Sequence, residues 1–187
     1  MTVTPTRLRD VLVVEPRLFS DDRGSFMETY NAERYFQAGI DVPFVQDNLS
    51  RSTQGTLRGL HFQAPPHGQA KLVSVVEGAV YDVVVDLRVG SSTYGEWVGV
   101  ELTADNGRQL FVPVGFAHGF AVTSERAVLS YKCSAGYAPQ AEGAVAWDDA
   151  DLAIEWPVTA PSLSAKDAAA PPFAALESPF SLSHHAR

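Results

Sequence analysis

Residues 56–71 read Thr-Leu-Arg-Gly-Leu-His-Phe-Gln-Ala-Pro-Pro-His-Gly-Gln-Ala-Lys, and the interpretation of the chain starts from this stretch. Its first half has the spacing of a strand, in which residues two apart share a face. We therefore expect His61 and Gln63 to point the same way, with Arg58 on the opposite face. A Pro-Pro-His-Gly turn follows, and Lys71 opens the next apolar run. The pattern fits a strand end with ordinary solvated charges, and it fits one wall of a polar site equally well.

Short apolar runs separated by Gly, Pro and Asn turns recur along the chain, which is typical of an all-β protein. Residues 72–76 and 79–87 are rich in β-branched side chains and are predicted to form a hairpin around Glu77-Gly78. Asn31 suits the N-cap of a brief helix that ends near Gly39. About ten strands with one or two short helices predict a mainly β fold, an antiparallel double-sheet jelly-roll (cupin-like) barrel. The other predicted strands cover residues 10–17, 25–30, 42–50, 57–63, 97–102, 109–112, 121–123, 127–133 and 143–147.

The composition is that of an ordinary globular protein, with 187 residues of which 45% are hydrophobic and 10% aromatic. This length suits a single domain over 1–187. No apolar run approaches the roughly 20 residues that span a bilayer, and the N-terminus lacks the form of a signal peptide. The single cysteine, Cys133, excludes an intrachain disulfide and a cysteine-based metal cluster. We therefore expect a cytoplasmic protein without a membrane partner, and a tail from about residue 168 to Arg187 that packs loosely or frays.

A net charge of −8 and a pI near 5.0 argue against a nucleic-acid partner, because such proteins present broad basic surfaces. An anionic small molecule remains compatible with this charge if a few focused arginines hold it. In the extended stretch 42–50, Phe44, Gln46 and Asn48 fall on one face. Two polar residues beside an aromatic suit a binding surface better than a core.

His61 and His118 raise the question of a metal, because histidine-bearing strands in such barrels often hold iron or manganese. The usual pattern has a second histidine two positions on and an acidic residue soon after it. Here Gln63 stands at the second position, and no glutamate follows before Glu77. With too few nitrogen and carboxylate ligands, we predict no metal and no other cofactor.

Two further residues each have a structural and a functional interpretation. Asp167 lies three residues after Ser164, as in a capping box that starts a helix. The same carboxylate could instead accept a ring N–H of a histidine and fix its tautomer, and its two oxygens allow both roles. Tyr131 shares a strand face with Leu129 and Cys133, where an isolated tyrosine is more often a core residue than an acid.

Taken together, these segments resemble the dTDP-4-dehydrorhamnose 3,5-epimerase family over nearly the whole length of the chain. Many separate short motifs match in the same order along the chain, which makes the resemblance specific. They are Asp22-Arg23-Gly24 with Phe26 and Glu28, Gln46 to Ser50, Leu57 to Gln63, Gln69-Ala70-Lys71, Asp86-Leu87-Arg88, Pro113 to Phe120, Tyr131-Lys132, Tyr137, and Leu163 to Asp167.

The resemblance implies a metal-free jelly-roll homodimer that acts on a dTDP-4-keto-6-deoxyhexose, converting dTDP-4-keto-6-deoxyglucose into dTDP-4-keto-L-rhamnose. It implies His61 as the base, Asp167 as its orienting partner, Tyr131 as the acid and Lys71 beside the sugar carbonyl. It also implies that the N-terminal strands, about 1–30, are exchanged between subunits. The implied substrate cradle consists of Arg23, Phe26 and Glu28 from that exchanged segment, with Gln46, Asn48, Arg58, His118 and Tyr137.

The residue types fit this chemistry on independent grounds. A C4 ketone acidifies the protons on C3 and C5, and a histidine such as His61 can abstract them near neutral pH. Lys71 can stabilise the enolate oxygen, and a phenol can return a proton to the opposite face. Alternatives that share these residues are a single-centre epimerase, at C3 or C5, and a sugar-binding module without catalysis. A metal-dependent cupin oxygenase is a fourth hypothesis.

Overall fold

Residues 1–182 are described by a computed structural model, and within them thirteen strands form three antiparallel sheets. The strands are β1 (Thr2–Pro5), β2 (Leu12–Glu15), β3 (Leu18–Asp21), β4 (Gly24–Met27), β5 (Gln46–Thr53), β6 (Leu57–Gln63), β7 (Lys71–Glu77), β8 (Ala79–Asp86), β9 (Trp97–Thr103), β10 (Gln109–Val112), β11 (Phe116–Val122), β12 (Arg126–Cys133) and β13 (Glu142–Ala144). One large sheet has the order β1-β2-β10-β7-β12-β5, and the other has the order β13-β6-β11-β8-β9. The third sheet is the β3-β4 pair.

The main core lies between the two large sheets, because both contribute buried side chains to one cluster. Val73 and Leu129 come from the six-stranded sheet, and Val84 and Phe120 come from the five-stranded sheet. β-Branched residues suit these pleated surfaces, whose strands alternate between the core and the outside. The predicted mainly β, antiparallel double-sheet jelly roll is confirmed.

The predicted hairpin between residues 72–76 and 79–87 is wrong. β7 pairs with β10 and β12, whereas β8 pairs with β11 and β9, so the chain crosses from one sheet to the other between them. Gly78 makes the corner, with φ +78°, and a Cβ there would collide with the carbonyl oxygen of Arg126. Adjacent strands joined by a tight Glu-Gly turn therefore need not share a sheet, because the turn fixes the direction of the chain and not its hydrogen-bonding partner.

A bulge in β6 changes the expected arrangement of faces. The register between β6 and β11 shifts opposite residues 118–120, where Gly59 has φ +123°. The backbones cross closely at this point, because a Cβ on Gly59 would lie 2.5 Å from the Cα of Gly119. Such a bulge adds one residue to the alternation. As a result Arg58 and His61 line the same cavity, which corrects the prediction that they face opposite ways.

Two short α-helices are present in residues 1–182, as predicted. The first, α1, spans Ala32–Gln37, and the side chain of Asn31 caps it by accepting a hydrogen bond from the Arg34 N–H at 3.1 Å. The second, α2, spans Ala165–Ala168 with Ser164 as its N-cap. Short 3₁₀ turns cover Pro139–Ala141 and Phe173–Ala175. In the described part of the chain, no helix has the length and apolarity that crossing a bilayer requires.

The C-terminal segment packs on the back of the five-stranded sheet, so the predicted loose tail is wrong for residues 168–182. Phe180 is buried and meets Phe62 edge-on, with ring centroids 5.6 Å apart. The Leu182 N–H donates to the Val89 carbonyl at 2.9 Å. A lack of periodicity in the sequence did not mean a lack of contacts, because single aromatic anchors hold this segment. The predicted tail residues His184 to Arg187 lie outside the described residues.

The β3-β4 pair forms a small hairpin whose aromatic side chains are unusually exposed. Phe19 is 50% exposed and Phe26 is 70% exposed. The turn at its tip is closed by Arg23 and Asp21, whose Nη2 and Oδ2 atoms lie 2.5 Å apart. β1 and β3 were not predicted, because neither shows an apolar alternation and every residue of β3 is exposed.

The close crossing at Gly59 gives a stability prediction. A positive φ alone costs a non-glycine residue about 1–2 kcal/mol, and forced overpacking adds about 1–3 kcal/mol. Gly59→Ala should therefore lower the free energy of unfolding by about 2–5 kcal/mol. Gly90→Ala is the matched control, because Gly90 has φ +86° and no atom within 4 Å of the point where a Cβ would lie. It should show only the first contribution. Equal losses in urea denaturation would contradict the close crossing.

Candidate active site

A cavity of about 230 Å³ opens between the two large sheets at the end where β6, β11 and β12 meet. A smaller cavity of about 120 Å³ adjoins it and shares His61, Lys71 and Tyr131. The larger one is lined by Ser50, Arg58, His61, Lys71, His118, Phe120, Leu129, Tyr131, Ser164, Lys166 and Asp167. The smaller one adds Gln46, Asn48, Phe62, Gln63, Gln69, Tyr137 and Glu142. All the predicted catalytic residues are therefore brought together.

His61 and Asp167 form a hydrogen-bonded pair across 106 residues of chain, with 2.5 Å between Nε2 and Oδ1. The other carboxylate oxygen, Oδ2, accepts a hydrogen bond from the Ser164 hydroxyl at 2.7 Å. The Asp167 N–H in turn donates to Ser164 Oγ at 3.1 Å. Asp167 is thus both the partner of the Ser164 helix cap and the partner of His61, as its two oxygens allow. Because Asp167 accepts from Nε2–H, the ring nitrogen left to take a proton is Nδ1.

The surroundings of His61 favour its neutral form. Burial lowers the pKa of His61 below its ordinary value, the Asp167 carboxylate raises it, and the positive charges of Lys71 and Lys166 lower it again. The net direction is downward. A neutral imidazole with a fixed tautomer is the state that a general base requires.

Lys71 lies half-buried on the six-stranded sheet, where its ammonium is poorly hydrated. Burial lowers its pKa, against the opposing effects of Cys133, Asp82 and Glu142. A lysine with a lowered pKa gives up a proton or a strong hydrogen bond more readily than an exposed one. It is therefore suited to an oxygen that develops negative charge beside it.

Tyr131 lies on β12, opposite Asn48 of β5. Burial raises the pKa of its phenol, Cys133 raises it further, and Arg58 opposes them. The phenol therefore stays protonated and can donate. His61 belongs to the five-stranded sheet and Tyr131 to the six-stranded sheet, so the two reach the cavity from opposite walls.

A second histidine–aspartate pair stands beside the first. His118 is directly opposite His61 in the β6–β11 register. Its Nε2 lies 2.8 Å from Oδ1 of Asp82, a fully buried carboxylate. Each cavity histidine thus has its own aspartate. No group of three His, Cys, Asp or Glu side chains within residues 1–182 is arranged to hold a metal ion.

The cavity concentrates positive charge in a chain whose net charge is −8. Arg58, Lys71 and Lys166 all line it. The Arg58 Nε donates to Ser52 Oγ at 3.1 Å, which leaves its terminal nitrogens for other partners. Several cations around a small cavity favour an anionic ligand, and a planar guanidinium suits a phosphate.

The smaller cavity contains three more of the predicted cradle residues. Gln46 Nε2 donates to Asn48 Oδ1 at 3.1 Å, and Asn48 Nδ2 lies 3.6 Å from the sulfur of Cys133. Tyr137 is 60% exposed, and its hydroxyl donates to Glu142 Oε2 at 3.1 Å. An exposed aromatic ring beside amide groups is suited to binding a flat polar group.

Several residues of the site were not predicted from the sequence, and four of them are charged or buried polar groups. Glu142 and Lys166 form an ion pair at the edge of the cavity, and Asp82 holds His118. Ser50 lines the cavity with a buried hydroxyl that has no hydrogen-bond partner among the described residues. Lys166 and Ser50 belong to segments that carry the family resemblance, so proximity in sequence could have suggested them. Glu142 and Asp82 carry no comparable signal.

The three predicted N-terminal residues are not at this cavity. Arg23 is bound to Asp21 at the tip of the β3-β4 hairpin, and Phe26 is exposed beside it. Glu28 pairs with Arg34, with 2.7 Å between Oε1 and Nη1. None of the three lines either cavity described above, so a single chain does not bring them to His61.

A cationic cavity with a neutral histidine and a protonated phenol on opposite walls is suited to an enzyme that moves protons on an anionic substrate. The sequence model of the dTDP-4-dehydrorhamnose 3,5-epimerase family matches residues 5–175. The chain belongs to this family of isomerases.

The chain aligns with individual relatives over most of their length. The dTDP-4-dehydrorhamnose 3,5-epimerase of Salmonella typhimurium is 51% identical over 173 residues, which is 91% of this chain and 94% of that protein. The crystal structure of a dTDP-6-deoxy-D-glucose-3,5-epimerase from Legionella pneumophila, in complex with dTDP-4-keto-L-rhamnose, superposes with a TM-score of 0.91. It is 46% identical and covers 94% of both chains. A dTDP-4-dehydrorhamnose 3-epimerase from Streptomyces niveus is 43% identical over 89% of this chain and 81% of that protein.

The charges around His61 predict opposite responses to two substitutions. Asp167→Asn removes the carboxylate that raises the pKa of His61, so this pKa should fall further below 6.5. Lys166→Met removes a positive charge that lowers it, so the pKa should rise toward 6.5. Proton NMR titration of the free protein measures both, with His61→Asn identifying the ring signals. A rise in Asp167→Asn would contradict the pairing of the two side chains.

Proposed function

We propose that this protein epimerises a dTDP-4-keto-6-deoxyhexose at C3 and C5, converting dTDP-4-keto-6-deoxyglucose into dTDP-4-keto-L-rhamnose. The observation that carries the proposal is the placement of His61 and Tyr131 on opposite walls of one cavity, with Lys71 on the same wall as Tyr131. Inversion of a carbon requires that a proton leave one face and return to the other. The ligand of the Legionella relative is the product of this reaction.

Proton removal is assigned to His61. The C4 ketone acidifies the protons on C3 and C5, and a neutral imidazole can take one through Nδ1 while Asp167 holds Nε2–H. The imidazolium that forms is stabilised by the same carboxylate, which is nearly fully buried. One base serves both carbons when the two protons project from the same face of the ring.

Lys71 is assigned to the C4 oxygen. Abstraction of a proton turns the ketone into an enolate, whose negative charge collects on that oxygen. A positioned cation in a poorly hydrated site stabilises such an oxyanion strongly, because little water competes for it. The lowered pKa of Lys71 also lets it share its proton with the enolate.

Tyr131 is assigned the return of the proton. Burial keeps the phenol protonated, and the six-stranded sheet presents it to the face of the sugar away from His61. Reprotonation there gives the inverted configuration.

The substrate cradle is proposed to span two subunits of a homodimer in the cytoplasm. The hairpin with exposed Phe19 and Phe26 would leave its own chain and complete the partner's cavity, within an exchanged N-terminal segment of about residues 1–30. Guanidinium groups would bind the diphosphate, and the exposed Tyr137 ring would stack on the base. The cradle comprises Arg23, Phe26 and Glu28 from the partner, with Gln46, Asn48, Arg58, His118 and Tyr137.

A single-centre epimerase is the second candidate, and the 43% identical 3-epimerase of Streptomyces niveus is the observation that favours it. Both reactions use the same base and acid, so they differ only in which carbons exchange and invert. A sugar-binding module without catalysis is less well supported, because His61, Tyr131 and Asp167 are all in the cavity.

The division of labour between the two walls predicts different failures for two variants. With substrate in deuterated water, His61→Asn should take up no deuterium at C3 or C5, because no enolate forms. Tyr131→Phe should exchange deuterium on the His61 face while giving little inverted product. Proton NMR over a time course measures position and configuration. Exchange that persists in His61→Asn would overturn the base assignment, whereas normal inversion in Tyr131→Phe would remove the tyrosine from the mechanism.

Inversion at one carbon only in the unmodified protein would select the single-centre reaction.

The cradle residues predict a change in binding. Arg23→Ala and Arg58→Ala should each raise KM about ten- to hundredfold with kcat nearly kept, since a charged hydrogen bond contributes about 1.5–3 kcal/mol. Loss of kcat at unchanged KM would contradict the assignment.

The shared cradle also predicts complementation between subunits. Co-expression of Arg23→Ala with His61→Asn should restore about one quarter of the activity at low substrate, because half of the dimers are mixed and each has one intact site. The matched control pairs Arg58→Ala with His61→Asn, which damage the same site and should restore nothing. Equal results from the two pairs, or a monomer by light scattering, would contradict the exchange.

Metal independence is a further prediction. Each cavity histidine is hydrogen-bonded to its own aspartate, and within residues 1–182 the two pairs do not converge on a common metal position. Prolonged dialysis against a chelator should leave the rate unchanged. Loss of activity that a divalent ion restores would contradict it and favour the oxygenase-type site.

A further inference from the structure

Gln63, so far considered only as a residue in the place of a metal ligand, fastens the loop at residues 134–138. Its Nε2 donates to the carbonyl oxygens of His67 at 2.8 Å and Gly136 at 3.3 Å. Its Oε1 accepts from the Ala138 N–H at 2.9 Å. The side chain is only 6% exposed. Both amide hydrogens are used, so Gln63 has little left to offer a ligand directly.

Two other glutamines hold neighbouring residues of the same loop. Gln69 Nε2 donates to the Ala135 carbonyl at 2.7 Å, and Gln46 Oε1 accepts from the Tyr137 N–H at 2.9 Å. Each of the four consecutive loop residues from 135 to 138 therefore gives one backbone group to a glutamine side chain. An amide side chain carries two N–H donors and an acceptor oxygen on one planar group, which suits this mixture of carbonyl and N–H groups.

The loop needs this support because Tyr137 has little packing of its own. Its ring is 60% exposed, and its one side-chain hydrogen bond among the described residues goes to Glu142. A ring without packing neighbours takes its position from its backbone. Fixing that backbone in the free protein removes an ordering cost at the moment of binding.

We infer that Gln63, aided by Gln69, is a positioning residue for nucleotide binding that acts through Tyr137. This inference rests on the proposed stacking of the base on Tyr137. The glutamines set the affinity for the nucleotide part of the substrate and leave the proton transfers at His61 and Tyr131 unaltered.

The test compares three variants in KM, kcat and the Kd for dTDP, the last by calorimetry. Gln63→Met keeps the length of the side chain and loses all three hydrogen bonds, so KM and the dTDP Kd should rise about tenfold while kcat stays within about twofold. Gln69→Met loses one bond and should show a smaller rise in the same two constants.

Ser124→Ala is the matched control. Ser124 Oγ makes three backbone contacts of 2.7–3.3 Å in the turn before β12, at the opposite end of that strand from the 134–138 loop. This variant should lose stability as the glutamine variants do, and its KM and dTDP Kd should stay unchanged. An equal rise in Ser124→Ala would mean that lost stability, and not loop position, explains the effect, which would overturn the inference.

A double-mutant cycle with Tyr137→Ala separates this inference from the proposed function. If Gln63 acts through the tyrosine, Gln63→Met should not raise the dTDP Kd further once the ring is removed. Additive effects, or an unchanged Kd in Gln63→Met when Tyr137→Ala alone weakens binding, would overturn the inference and leave the proposed cradle standing. An unchanged Kd in Tyr137→Ala would overturn the stacking role and the inference with it.

Discussion

The hydrogen bond between His61 and Asp167 joins strand β6 of the five-stranded sheet to a short helix far along the chain, and the site depends on it. His61 is fixed by the bulged strand β6, and Asp167 is fixed by the Ser164 cap that starts α2. The imidazole tautomer is fixed only when both side chains are held in place. Backbone hydrogen bonds of Ser162 with Gly55 and Leu57 hold the segment before α2 against the start of β6, and Asp167 contacts the ring with 2.5 Å between Oδ1 and Nε2. Backbone pairing outside the cavity thus supports the geometry inside it.

The jelly roll also explains why His61 and Tyr131 oppose each other across the cavity. Two sheets that face across a core present side chains toward each other wherever the core gives way to a cavity. His61 and Arg58 come from one sheet, and Lys71 and Tyr131 come from the other. The bulge at Gly59 adds Arg58 to the wall that already holds His61. In the proposed reaction, a substrate between the walls would therefore meet His61 as proton acceptor on one side and Tyr131 as donor on the other.

Much of the fold was predictable from sequence because it depends on local patterns, whereas the set of site residues was predicted from the family resemblance. β-Branched runs between turns predicted the strands, and Ser164 before Asp167 predicted the cap that the structure confirms. The errors fall where long-range geometry decides. Gly78 turns the chain into the other sheet, and the bulge at Gly59 follows from a backbone crossing with a strand about sixty residues away. Glu142 carries no sequence signal, since its position depends on the pairing of β13 with β6.

The same reliance on distant contacts has a consequence for synthesis of the chain. A ribosome releases the strand that carries His61 long before it releases Asp167, which lies 106 residues later. Until the last fifth of the chain has emerged, the imidazole has no carboxylate to orient it, and the apolar back of the five-stranded sheet lacks its C-terminal cover. The nascent barrel therefore exposes apolar surface that is prone to aggregation. Burial of that surface and the pairing of His61 with Asp167 both depend on the same C-terminal part of the chain.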